Sequence, residues 1–193
     1  MDSNFPGTVV SRQGKSAEEF LSGLFFATKG IMLLQVKEIT GLETPVIQNW
    51  VGRGILQTPV EKRYSANHLA RIMIINMLRS VTRLDIIVKI LEYINDAPND
   101  NVISEAELYI AVCGILDEIN YETVFSDVEL DRVIEKHTAK YSECSSAVKK
   151  RLSGGMKTIL TYYAASLIKV RADRRMEMIE STISIERAGD VND

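Results

Sequence analysis

Between Ser65 and Ser80 the chain reads SANHLARIMIINMLRS, in which Leu69, Ile72, Met73, Ile75, Met77 and Leu78 leave almost no polar side to a helix. Only Arg71, Asn76 and Arg79 clearly interrupt it. A helix that is apolar nearly all round has to be covered on every side, so this one is expected at the centre of the domain. Ser65 is a suitable N-cap, its hydroxyl accepting an orphan backbone N–H. Thr82 to Asp85 then has the form of a capping box, opening a further helix with Leu84, Ile87, Val88 and Leu91 on one face.

Upstream of this helix the pattern changes to short elements. Glu43-Thr44-Pro45 predicts a helix start, with Thr44 as N-cap and Pro45 at the first helical position, where no donor is needed. Val46, Ile47, Trp50 and Val51 fall within an arc of about 140° at about 100° per residue. Gln48, Asn49, Gly52 and Arg53 take the opposite arc, and Gly54 is placed to end the helix in a left-handed conformation. Leu34, Val36, Glu38 and Ile39 suit a preceding short helix closed by Gly41-Leu42. Two short helices joined by a glycine-containing turn make the helix-turn-helix pattern. Gln and Asn pair bidentately with adenine in the major groove, and Arg pairs with guanine or phosphate. The same residues equally suit a face that is merely solvated.

The segment from Ile55 to Tyr64 is too short for another helix, and it carries Pro59 and the adjacent cations Lys62 and Arg63. Such an arm beside a reading helix suits phosphate contact, which positions a protein on a duplex without reading its sequence. Charge is shared unevenly. The overall net charge is -3, yet Ile31 to Asn95 holds eight Lys and Arg against five Asp and Glu, so the remainder is distinctly acidic. A basic module on an acidic body is the reading this favours.

The order of helix, turn, TPVIQNW, RGIL, KRYS and a long hydrophobic helix resembles the N-terminal DNA-binding domain of the MerR family of bacterial regulators. There a wing follows the reading helix and its Trp and Gly-Leu pair. IQNWVGRG, KRYS, ARIMIINMLR and the later SEAELY are similar to the bacterial family labelled domain of unknown function (DUF 1836), over roughly Gly30 to Ile119. The resemblance implies a winged helix-turn-helix in which Thr44, Gln48, Asn49 and Arg53 face the duplex, with Lys62, Arg63 and Tyr64 at the wing. Two departures from the MerR pattern stand out: the wing is short, and Gln48-Asn49 replaces the usual Arg-aromatic pair before the Trp.

The rest of the chain offers helices and little chemistry. Residues 1–15 are polar with Pro6 and Gly7, and a flexible N-terminus is expected there. Ser16 to Glu19 is a capping box, opening a helix with Phe20, Leu21, Leu24 and Phe25 that is expected to pack on the reading unit. Asp96, Asp100, Ile103, Ser104 and Glu107 have EF-hand offsets. However, Pro98 fills a ligand position, Asn101 stands where Gly is needed, and Ser104 and Glu107 serve better as a capping box. The next helix runs from about Glu105 to Asn120. Ser126 to Glu129 caps another, with Val133, Ile134 and His137 facing inwards. Neither His68 nor His137 has a metal-ligand partner at i+4. Leu152 to Gly155 is similar to the signature of ATP-binding cassette proteins, and Lys157-Thr158 to a phosphate loop, but the strand and glycine context is missing. Gly154-Gly155 is therefore read as a break between a helix ending near Leu152 and one running from Met156 to about Ile179.

No apolar run approaches the ~18 residues of a membrane span, and no signal peptide is expected. Cys113 and Cys144 lie in no metal or redox spacing, as buried thiols of a reducing cytoplasm do. No nucleophile, base and orienting group recur in a known motif. The sequence thus predicts a mainly all-α protein with at most one short β-hairpin: a flexible N-terminus (1–15), a MerR-like helix-turn-helix region (16–95), a helical region (102–180) and a tail (181–193). The function expected is that of a cytoplasmic bacterial transcriptional regulator, no enzyme and without cofactor or metal, binding double-stranded DNA as a homodimer. The alternative is a helical protein-interaction module that keeps the helix-turn-helix as scaffold. In it the C-terminal helices could also sense a small molecule.

Overall fold

The computed structural model describes residues 4–95, 103–120 and 122–189, with side chains up to residue 183. Its organising element is α4 (Ala66–Leu78), in which Leu69, Ala70, Ile72, Met73, Ile74, Ile75, Met77 and Leu78 are all buried. Fully burying one such Leu, Ile or Met side chain contributes about 1.5–3 kcal/mol, so this helix is the largest single source of cohesion. α2 (Leu33–Thr40) covers it on one side. α5 (Leu84–Asn95), α6 (Glu105–Glu118) and α8 (Ser146–Gly189) cover the others. α7 (Asp127–His137) closes the far end against α6 and α8. The fold is mainly all-α.

The polar interruptions of α4 act as clamps. Asn76 Nδ2 donates to the carbonyls of Gly7 (2.9 Å) and Thr40 (3.0 Å). Arg71 Nε donates to the Ile55 carbonyl at 2.6 Å, and its guanidinium pairs with Glu105 at the start of α6. Burial raises the Glu105 carboxyl above its usual range, an effect that Arg71 opposes.

The N-terminal segment, expected to be flexible, is packed from residue 4 onwards. Phe5 is 2% exposed and stacks on Phe20 with centroids 4.4 Å apart. Phe5 N–H donates to Val10 O, Val9 N–H to Ile39 O and the Tyr109 hydroxyl to Pro6 O. A buried aromatic and satisfied backbone groups hold a strap that reads as loop. Gly7 is required in it: φ is +73°, and a Cβ would sit 2.1 Å from Met73 O. α1 (Ala17–Phe25), capped by Ser16 and Glu19 as expected, packs mainly on α6, where packing on the α2–α3 region was expected.

Two further expectations are corrected. α8 runs unbroken through Gly154-Gly155 and continues past Ile179 to Gly189, where a tail was predicted from residue 181. The glycines answer to packing. A Cβ on Gly155 would meet Ile94 Cγ1 at 2.3 Å, so Gly155 lets α8 approach α5 closely. The loop compared with an EF-hand, Asp96 to Asn101, lies outside the described residues, whereas Ser104 and Glu107 do form their capping box. Among the described residues no group of three or more His, Cys, Asp and Glu is placed to hold a metal, and no helix is long and apolar enough to cross a membrane.

This close approach has a measurable consequence. Gly155→Ala forces a methyl against the buried Ile94 and should cost about 1–3 kcal/mol. Gly154→Ala, whose Cβ would find its nearest neighbour at 3.8 Å, should gain up to about 1 kcal/mol of helix propensity. Urea unfolding of the two proteins checks both signs, and equal effects would contradict the packing role.

Candidate nucleic-acid interface

The candidate interface is built on two short helices and a tight turn. α2 ends at Gly41, whose φ of +69° lets its N–H return to Lys37 O at 2.8 Å. Leu42 is buried and Glu43 pairs with Lys37 at 2.7 Å, fixing the turn into α3 (Thr44–Gly52). The N-cap of α3 is Glu43 and not Thr44, which is the first helical residue and half-buried; no side chain caps this helix. Pro45 still falls in the first turn, where its missing donor costs nothing.

The two faces of α3 separate as their chemistry demands. Ile47 is 0% and Trp50 5% exposed, with Val46 and Val51 packed beside them. Gln48, Asn49, Gly52 and Arg53 are exposed. At the end of the helix Trp50 O accepts from the N–H groups of Ile55 (2.9 Å) and Leu56 (3.2 Å), while Gly54 turns the chain at φ +71°. Ile55 and Leu56 are buried, so the arm is anchored at its root. The N-terminal strap reaches α2 through Val9 but leaves the amide-and-arginine face of α3 open.

The arm returns as a ladder. β1 (Ile31–Met32) pairs antiparallel with β2 (Arg63–Tyr64), Ile31 opposite Tyr64 and Met32 opposite Arg63. It is no hairpin, because α2 and α3 lie between its strands. The tip is the turn Val60 to Arg63, closed by Arg63 N–H to Val60 O at 2.8 Å. Glu61 and Lys62 have φ of +50° and +61°. Positive φ at both central positions is the type I′ pattern, which favours Asn-Gly. Each L-residue held there costs about 1–2 kcal/mol. Nothing in the sequence announces this turn, since neither glycine nor asparagine marks it.

Lys62 and Arg63 are exposed, Arg63 also donating Nη1–H to Gly30 O at 3.2 Å. Tyr64 is a correction. It is 4% exposed, edge-on to His68 at 5.9 Å, and burial raises its hydroxyl above the ordinary tyrosine value. Position 64 faces inwards because strand residues alternate, so Tyr64 props the wing and presents nothing to a ligand. Beyond Gly54 a cleft of about 910 Å³ opens between the end of α3 and helices α4, α5 and α6. It is lined by Gln57, His68, Arg71, Lys89, Glu92 and Glu105 among others.

Residues 26–112, just under half of the chain, match the model of a family described as Domain of unknown function (DUF1836). The match takes in α2, α3, the wing, α4, α5 and the first half of α6. No curated protein and no solved structure matches the chain.

The strained tip can be relieved. Replacing Glu61-Lys62 by Asn-Gly, the residues a type I′ turn prefers, should raise stability by about 1–2 kcal/mol. Thermal unfolding measures it; a lower melting temperature would contradict the assigned turn.

Proposed function

We propose that this protein is a bacterial DNA-binding transcriptional regulator of the MerR-like winged helix-turn-helix type, acting in the cytoplasm as a homodimer. The observation that carries the reading is the open face of α3. Gln48, Asn49 and Arg53 are exposed together while Ile47 and Trp50 anchor the other side in the core. A rigid helix with amides and a guanidinium outward suits the edges of base pairs in the major groove. Thr44, at the start of the helix, faces the same duplex under this reading.

The wing adds a second support. Lys62 and Arg63 sit at and beside a turn held in an unfavourable backbone conformation, and strain of this kind concentrates at functional sites. Their part is to neutralise phosphates. One short helix reads few base pairs, and a two-fold protein matches a palindromic pair of half-sites. Under this reading the chain carries out no reaction and needs no cofactor. The cleft beyond Gly54 is a place where a small effector could act on the reading helix.

A second reading, a protein-interaction module on a helix-turn-helix scaffold, draws on the apolar residues around the wing. Met32, Leu34 and Val60 are 43%, 64% and 75% exposed, and Met32 and Val60 flank Arg63 in the ladder and the turn. The two readings part in one experiment. Fluorescence anisotropy on a labelled duplex, titrated at several salt concentrations, should show binding whose log–log salt slope falls by about two when Lys62 and Arg63 are both changed to Ala. Absence of duplex binding by the full chain, or an unchanged slope, would turn the assignment to the interaction module.

A further inference from the structure

Between the N-terminal strap, the end of α6 and the middle of α8 lies a second cavity, of about 240 Å³. It is smaller than the roughly 300–1,000 Å³ that drug-sized ligands take, so its occupant is small. Its walls are largely apolar. Pro6 and Leu160 are buried at the floor, while Leu116, Ile119 and Val124 stay half-buried and Leu167 is 39% exposed. Polar groups gather on the open side, where Asn4, Asp117 and Asn120 are exposed and Arg12 lies beside them. An apolar hollow with a few convergent polar groups is the form that small-molecule sites take.

Arg12 decides the chemistry. Its side chain is 13% exposed and lies over the Phe5 ring, 5.4 Å from the centroid. Among the described residues its ionic partner is Asp117, whose Oδ1 accepts from Nη1 at 2.5 Å. Nε is buried and has no partner there. A guanidinium carries five N–H donors, and buried donors are nearly always satisfied, so this one is short of acceptors. Asp117 in turn is 49% exposed and uses Oδ1 for Arg12, which leaves Oδ2 for a donor from outside.

We infer that this cavity binds a free α-amino acid with an apolar side chain of about leucine's size. Its carboxylate sits on Arg12, its ammonium on Asp117, and its side chain against Leu116, Ile119, Val124 and Leu167. Charges then alternate around the Arg12–Asp117 pair, and the carboxylate supplies the acceptors that Arg12 lacks. Hydrogen bonds between ionised groups are the stronger kind. An acid without the amine brings a second carboxylate up to Asp117, and an amine without the acid contends with Arg12 for it. The pair therefore selects the zwitterion by repelling its halves. The strap that carries Pro6 and Arg12 also reaches α2, through Val9 N–H to Ile39 O, so an occupant bears on the first helix of the candidate interface. The inference does not rest on DNA binding and stands or falls apart from it.

Calorimetric titration of the dialysed full chain with L-leucine, without nucleic acid, tests it. Leucine should bind one to one. L-Alanine should bind about 50-fold more weakly, since each further buried methylene is worth about fourfold (~0.8 kcal/mol). 4-Methylpentanoate and 3-methylbutylamine, each lacking one charge of leucine, should be weaker by about tenfold or more. Asp117→Asn should weaken leucine by about tenfold yet tighten 4-methylpentanoate, a reversal that a loosened fold does not give. Ala164→Leu, which fills the cavity and leaves the ion pair alone, should abolish binding. Methyl NMR of the unaltered protein locates the site without any substitution, with leucine shifting Leu116, Ile119, Val124 and Leu167. Absence of leucine binding at about 10 mM, shifts confined to other methyls, or an Asp117→Asn protein that treats leucine and 4-methylpentanoate alike overturns the proposal.

Discussion

The complete burial of α4 is the constraint on which the rest of the structure depends. A helix with Ile72, Met73, Ile74 and Ile75 in succession has no side to give to water, so every neighbour is placed by the need to cover it. Covering such a helix leaves its few polar groups inside or at the edge, where each has to be satisfied. Asn76 and Arg71 meet that need by holding backbone carbonyls of segments with little core of their own, the N-terminal strap and the turn after α3. Hydrophobic burial thus positions the layers, and the polar residues left on the central helix tie the loops to them.

The open face of α3 follows from this arrangement. Ile47 and Trp50 belong to the same core as α4, which fixes the rotation of α3 and so decides that Gln48, Asn49 and Arg53 point outward. The wing is set by the same core, through Tyr64 beneath it and the two-residue ladder to β1. A rigid base under an exposed polar face is what preorganised recognition needs, because little conformational freedom is lost on binding. Through Arg71 the root of the arm is also bonded to α6, so the α2–α3 unit and the C-terminal helices are not mechanically separate.

α8 answers to two different environments along one helix. Its first half lies in the body, where Gly155 admits Ile94 and where Met156, Ile159 and Leu160 are fully buried. Its second half leaves the body, with every residue from Leu167 to Ile183 exposed. A single continuous helix thus joins the core around α4 to a stretch exposed on every side.

Much of the fold was legible in the residues because it rests on local rules. The all-round apolar pattern of α4, the caps at Ser16, Ser65, Ser104 and Ser126, and the left-handed Gly41 are decided within a turn of helix, and sequence periodicity carries them. The two-faced character of α3 belongs to the same class. Tertiary structure alone decided what depends on distant partners. Phe5 gives no signal of its own that it will fill a gap beside Phe20, and Gly154-Gly155 carries the same composition as a helix break until Ile94 is opposite. Tyr64 is distinguished from Lys62 and Arg63 only by the ladder that turns it inward. In each case the deciding energy comes from a contact many residues away, which no local pattern encodes.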